Sequence, residues 1–193
     1  KYFKDVEKPR LNMGLTKLDE AIGGIEGGDV VIIAARPAVG KSAFALQIIR
    51  RFAKDGKKVA YFNLEMREKQ VYERFVAAVS GIELNRIRLA TTFLGNERER
   101  FNKANEDLKK QTSIIIHSGS KRVSDIRAET RGKGYDVIVI DYLQLLKSNT
   151  KRGANRYAEV GDISRGVKDI AMDYNIPVIA LSQLNRASEM NKD

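Results

Sequence analysis

Residues 30–52 carry an apolar, β-favouring run, Val30-Val31-Ile32-Ile33-Ala34, then Ala35-Arg36-Pro37-Ala38-Val39-Gly40-Lys41-Ser42, then a segment in which Phe44, Ile48 and Phe52 recur at helical spacing. A strand, a tight loop and a helix start in that order admit few folds. In that setting Gly40-Lys41-Ser42 reads as the end of a phosphate-binding loop. Backbone N–H groups and the helix N-terminus would face the phosphates, Lys41 would reach the β- and γ-phosphates, and the Ser42 hydroxyl would ligate Mg²⁺. The chain is therefore expected to bind ATP or another nucleoside triphosphate, through Arg36, Pro37, Ala38, Val39, Gly40, Lys41, Ser42 and Ala43. The general pattern opens on glycine, and Ala35 stands there instead, so this position needs no glycine-only conformation.

With 193 residues and 42% hydrophobic content, the chain can bury a substantial single core. It has no cysteine, which excludes disulfides and thiolate metal sites. No apolar stretch exceeds strand length and no leader pattern opens the chain, so a soluble, cytoplasmic protein without membrane contact is expected. The formal net charge of +10, from 35 Lys+Arg against 25 Asp+Glu, favours a polyanionic partner such as nucleic acid.

Residues 1–12 are charged, contain Pro9 and show no period; they read as a linker or arm, with residues 13–193 as one domain. Residues 15–22 suit a short helix stopped by Gly23-Gly24. Residues 58–64 form a second strand with Glu65 at its end, and Val71, Phe75, Val76 and Val79 mark an amphipathic helix. Residues 82–112 are polar and helical in pattern, with Phe101, Ala104 and Leu108 as the buried stripe. Residues 113–117 are a third strand, residues 123–131 a short helix, and residues 136–141 a fourth, wholly apolar strand ending in Asp141. The lack of alternation in that fourth strand means both of its faces are covered, as in a parallel sheet between helices. A basic loop over 147–157 leads to a helix with Val160, Ile163, Val167 and Ile170 on one face, then a fifth strand over 177–182. Strands alternating with helices predict an α/β fold with a mostly parallel central sheet flanked by helices.

Ligands of such sheets bind beyond the carboxyl ends of the strands. Asp141 ends its strand as a Walker B aspartate does, holding Mg²⁺ or its water ligands. Many phosphate-loop ATPases place a glutamate next, but here that residue is Tyr142, so the group that activates water must come from elsewhere. Glu65 is the best-placed carboxylate if its strand lies near enough to share the phosphate-facing edge. Gln183, after the last strand, is suited to contact the γ-phosphate through its neutral amide. His117, the only histidine, ends an apolar run and reads as a core or edge residue.

Four segments, Ala34 to Ser42, Asn63-Leu64-Glu65-Met66, Val139-Ile140-Asp141-Tyr142-Leu143-Gln144-Leu145 and Leu181-Ser182-Gln183-Leu184-Asn185-Arg186, together resemble the motor domain of DnaB-like replicative DNA helicases over roughly residues 12–190. Alanine in place of the first loop glycine, followed by Arg-Pro, is itself typical of that family. The resemblance implies a RecA-like ATPase core that works as part of a homo-hexameric ring on single-stranded DNA, in a bacterial or phage-infected cell. It implies Glu65 as catalytic glutamate, Asp141 as Walker B residue, Gln183 as γ-phosphate sensor and Lys41 as a catalytic contact. It also implies Lys151, Arg152 and Arg156 as DNA contacts, and a primase and a helicase loader as partners.

The family's motor continues past the last strand with a further DNA loop and an arginine finger, and its bacterial members carry an N-terminal collar domain. This chain, beginning at Lys1 and ending at Asp193, is accordingly expected to be a nucleotide-binding fragment with weak ATPase activity alone. The alternative from another class is a RecA-like recombinase or ATP-gated DNA-binding assembly module that does not unwind. A metabolic phosphate-loop kinase would need an acceptor-binding or lid segment that the sequence does not display.

Overall fold

The computed structural model describes residues 10–89, 93–147 and 156–184, the side chains of Arg156 and Tyr157 apart. Five strands form one sheet in the order β1-β5-β4-β2-β3: β1 Val30–Ala35, β2 Val59–Asn63, β3 Ile114–Ser118, β4 Val137–Asp141 and β5 Val178–Gln183. All four pairings are parallel. The helices are α1 Thr16–Ile22, α2 Lys41–Lys54, α3 Glu68–Ser80, α4 Leu84–Leu89, α5 Glu97–Lys110, α6 Val123–Thr130 and α7 Arg156–Tyr174, with a 3₁₀ turn at Leu143–Leu145.

The pleat divides the apolar strands between two cores, since successive side chains of a strand point to opposite faces. Val59, Tyr61, Val137, Val139, Ile179 and Leu181 meet Leu46, Ile49 and Phe52 of α2 and Val71 and Phe75 of α3. Ala60, Phe62, Ile138, Ile140, Val178 and Ala180 meet Val123 and Ile126 of α6 and Ile163, Val167 and Ile170 of α7 on the other face. The continuous apolar reading of β4 is thus explained: every one of its residues is buried. A smaller cluster of Val76, Ile82, Ile87 and Ala104 joins α3, α4 and α5, with Phe101 and Leu108 partly buried against it.

Three local features depart from the one-dimensional pattern. Val160, placed by spacing on the inner face of α7, is 42% exposed, because the helix has run past the sheet at that end and only Ile163 onward reaches the core. β1 is an edge strand, and Ile32 in its middle is 51% exposed despite an apolar sequence like that of β4. Leu11 forms an antiparallel bridge with Ile25, and Arg10 pairs with Glu26 at 3.2 Å, so residues 10–12 lie against the domain.

Candidate functional site

β1 runs through Ala35, so the residue in place of the motif's first glycine is ordinary strand and tolerates a side chain. The loop then turns through left-handed backbone at Ala38 (φ 64°) and Gly40 (φ 95°). A Cβ on Gly40 would meet nothing within 4 Å, so glycine is favoured there by its backbone angle and not by crowding. Gly40 is the N-cap of α2, and no side chain caps that end. The first N–H groups of α2 therefore face a cleft with no side-chain partner, the arrangement that suits an anion.

Strand register brings the other groups to the same edge. Ala35 pairs with Gln183, while Asn63 pairs with Asp141, and β4 joins the two pairs through β5. Because the strands are parallel and nearly level, their carboxyl ends converge although β2 lies three places from β1 in the sheet. The result is a cleft of about 430 Å³ lined by Arg36, Pro37, Ala38, Gly40, Lys41, Ser42, Ala43, Glu65, Arg74, Tyr142 and Gln183. Of the residues expected from the sequence, Val39 alone in the loop is turned outward, 65% exposed and absent from the lining. Asp141 is fully buried, beneath the lysine.

Lys41 Nζ lies 3.8 Å from Asp141 Oδ1, near enough to feel the charge but too far for a hydrogen bond. The ring of Tyr142 supports the ammonium from another side, 3.7 Å from Nζ to the ring centroid. Burial pushes the Lys41 pKa down, opposed by the carboxylates of Asp141 and Glu65. Tyr61 donates its hydroxyl proton to Asp141 Oδ2 at 3.2 Å, and burial followed by the Asp141 charge raises the phenol well above its ordinary value, so it remains a donor. Lys41 Nζ, Asp141 Oδ1 and Arg74 Nε are all buried without a hydrogen-bond partner. Two unpartnered cationic nitrogens and one carboxylate oxygen about a single cleft are costly unless a ligand completes them.

That donor set fits a triphosphate with a hard divalent cation. Ser42 and Asp141 offer the hydroxyl and carboxylate oxygens that Mg²⁺ accepts, and phosphate oxygens and waters complete such sites elsewhere. Among the described residues no group of three or more His, Asp or Glu could hold a metal ion.

Glu65 is carried on a turn locked by its buried neighbour. Asn63 Oδ1 accepts from the Met66 N–H at 3.0 Å, and its Nδ2 donates to the Met66 carbonyl. This side-chain clasp, in the manner of an Asx turn, holds residues 63–66 so that Glu65 overhangs the cleft. In Asn63→Ala both Met66 groups lose their partners, and the expected cost is about 1–3 kcal/mol of stability. Nucleotide turnover should fall while nucleotide affinity holds, measurable by denaturant unfolding and steady-state ATPase assays on the intact protein.

Sequence reasoning missed Arg74, Tyr61, Asn63 and Gln144. The signal for Arg74 was present: it stands on the inner face of α3 between Val71 and Phe75, where a charge is out of pattern. Its place in the cleft requires the packing of α3 on α2. His117 lies away from the cleft. It stacks on Phe62 with ring centroids 4.5 Å apart, its Nδ1 is 2.7 Å from Glu129, and its Nε2 is 3.3 Å from the Tyr135 hydroxyl. Burial lowers its pKa, with Glu129 acting against that shift. Lys151, Arg152 and the side chain of Arg156 lie outside the described residues.

Among the described residues no helix is long and apolar enough to cross a membrane. The DnaB-like helicase C-terminal domain model matches residues 11–193. The chain is 38% identical over 195 residues to the replicative DNA helicase DnaB of Geobacillus stearothermophilus, covering 98% of this chain and 43% of that protein. It is 39% identical over 189 residues to the replicative DNA helicase DnaC of Bacillus subtilis, covering 93% of this chain and 40% of the relative. It thus spans less than half the length of these curated relatives. A solved DnaB-like replicative helicase, described with its interactions with primase, superimposes with a TM-score of 0.87 at 30% identity, over all of this chain and 48% of the other. The ATPase domain of G40P gives a TM-score of 0.87 at 30% identity, over 98% of this chain and 69% of the other. With a parallel sheet of RecA-like form, an uncapped helix N-terminus at its carboxyl edge and a family match over nearly its whole length, the chain belongs to the DnaB-like helicase C-terminal domain family.

Proposed function

We propose that this chain is the ATP-hydrolysing motor domain of a replicative DNA helicase. The observation that carries the reading is the set of three buried, unpartnered polar atoms, on Lys41, Arg74 and Asp141, around a cleft of triphosphate size at the carboxyl edge of the sheet. The N–H groups of the loop and of the α2 N-terminus hold the phosphates, and Lys41 and Arg74 bring positive charge to their oxygens. Ser42 and Asp141 hold Mg²⁺, which when bound neutralises charge that develops between the β- and γ-phosphates. Glu65 orients the attacking water and accepts its proton, acting from the more open rim of the cleft. Tyr61 fixes the Asp141 carboxylate through its hydroxyl, and Gln183 senses the γ-phosphate through its amide.

In the same reading the intact protein is a cytoplasmic homo-hexamer that translocates on single-stranded DNA and meets a primase and a helicase loader. Lys151, Arg152 and Arg156 contact the DNA backbone, which gives sequence-independent, salt-sensitive binding.

Strand displacement by the intact protein on a forked duplex tests the reading. ATP-dependent unwinding is expected; DNA-stimulated hydrolysis without displacement would assign the chain to the recombinase-like class instead. Replacing Lys151, Arg152 and Arg156 together by alanine should weaken oligonucleotide binding and reduce its salt slope by about 2, since each lost phosphate contact on a single strand contributes about 0.7. An unchanged slope would return that segment to an ordinary solvated loop.

A further inference from the structure

The residue after Asp141, where many phosphate-loop ATPases carry a glutamate, is Tyr142, the one aromatic among the described residues that line the cleft. The Lys41 ammonium rests on its ring, 3.7 Å from Nζ to the centroid. That ring is firmly placed. It packs against the core between the sheet and helices α2 and α3, and the Tyr142 carbonyl accepts from the Leu145 N–H at 3.1 Å. The turn that follows is tied to β5 through Gln144, whose Nε2 donates to Ser182 Oγ at 2.8 Å and whose Oε1 accepts from the Gln183 N–H at 3.2 Å.

The gap beside the ring gives it consequence. Lys41 Nζ and Asp141 Oδ1 are 3.8 Å apart, both buried and both without a hydrogen-bond partner. A direct ammonium–carboxylate bond measures about 2.7–2.9 Å, so a movement of about 1 Å would satisfy both groups at once. Attraction between opposite charges removed from water favours that movement. The carboxylate is not free to turn aside, because the Tyr61 hydroxyl donates to its other oxygen at 3.2 Å. The contact that opposes closure is the face of Tyr142, whose negative π surface competes with the acid for the ammonium. A closed pair would occupy the carboxylate oxygen suited to Mg²⁺ or its waters, and would turn the charge of the lysine from the phosphates to the acid.

We propose that Tyr142 is a positioning residue whose ring holds the Lys41 ammonium off Asp141, leaving Oδ1 open to a divalent cation and the ammonium open to phosphate. This rests on the nucleotide-binding role proposed above. A glutamate at 142 would hold the lysine by charge when phosphate arrives, whereas an uncharged ring releases it.

The test uses the intact protein and a fluorescent, non-hydrolysable ATP analogue, whose equilibrium binding is titrated with Mg²⁺. In Tyr142→Leu the Mg²⁺ concentration for half-maximal binding should rise about 2- to 30-fold, the range expected for loss of one cation–π contact. Excess Mg²⁺ should restore near-native affinity by displacing the lysine from Asp141. Tyr142→Phe, which keeps the ring face, should retain the native midpoint. Tyr142→Met fills the space of the ring with a flexible side chain and carries the same expectation as leucine; it replaces leucine if that variant melts below the assay temperature. A native midpoint in folded Tyr142→Leu or Tyr142→Met overturns the proposal. So does a loss of affinity that excess Mg²⁺ leaves in place, which would make the ring a packing element. A phenylalanine variant as impaired as leucine overturns it too, because the role would then belong to the hydroxyl. A native protein that binds no analogue at any Mg²⁺ concentration would sink the nucleotide-binding reading itself, a distinguishable outcome.

Discussion

Glu65→Gln in the intact protein is expected to bind ATP with nearly native affinity and to turn it over about 10²–10⁴-fold more slowly, the span attributed to a positioned general base. The substitution keeps the size of the side chain and its hydrogen-bonding reach but removes the proton acceptor. Glu65 is exposed and lines the cleft with Lys41 and Tyr142, both of which feel its charge. No other described carboxylate combines access to the cleft with exposure: Asp141 is fully buried, and one of its oxygens accepts from Tyr61. The Asn63 clasp should survive the change, since it involves only the backbone of Met66. Single-turnover hydrolysis alongside equilibrium binding of a fluorescent nucleotide separates the two effects. Native turnover in Glu65→Gln would remove this residue as the base.

Lys41→Ala is expected to abolish detectable nucleotide binding at ordinary concentrations, and hydrolysis with it. A charged hydrogen bond contributes about 1.5–3 kcal/mol, and the lysine is placed to make more than one to the β- and γ-phosphates. Its removal also leaves the buried Asp141 carboxylate without the ammonium that lies 3.8 Å away. The fold should tolerate the loss. The ammonium is buried without a hydrogen-bond partner, burial already lowers its pKa, and its contacts are the Asp141 carboxylate at 3.8 Å and the face of Tyr142 at 3.7 Å. Lys41→Met, which keeps the apolar stem beside Tyr142, should match Lys41→Ala in binding while unfolding at a temperature closer to native. Calorimetric titration with an ATP analogue and a thermal melt of each variant check both statements. Native affinity in Lys41→Ala would place the nucleotide somewhere other than the cradle before α2.

How legible the site was in sequence varies residue by residue. The cradle was legible because its chemistry is contiguous: strand, left-handed loop and helix N-terminus follow one another, and the residue types needed for each are adjacent. The buried carboxylate of Asp141 was legible because it interrupts an apolar run at its end. Glu65 was reachable only on the condition that β2 lay near the phosphate edge, a condition that concerns strand order. Arg74, Tyr61 and Gln144 were given no role from the sequence. Arg74 carried a local mark, a charge out of pattern on the inner face of α3, whereas Tyr61 acts on Asp141 and Gln144 on Gln183, partners distant in sequence, and nothing local distinguishes such a residue from a packing or surface residue.

Legible in the sequence alone were the alternation of strands and helices, the two-sided burial of β4, the strand, tight loop and helix start of residues 30–52, and the family to which the chain belongs. These follow from periodicity and from motifs read within a few residues, where the backbone's own geometry sets which side chains can meet. The order β1-β5-β4-β2-β3 was decided only by tertiary structure. Parallel strands are joined by helical crossovers, so neighbours in the sheet need not be neighbours in the chain, and side-chain volumes on the two faces select among the orders that local pattern allows. That selection placed Ile32 on an edge, turned Val160 outward and set Asn63 level with Asp141. It thereby brought an acid from the turn after β2 and an amide from β5 to one cleft, with the acid that ends β4 buried beneath its lysine.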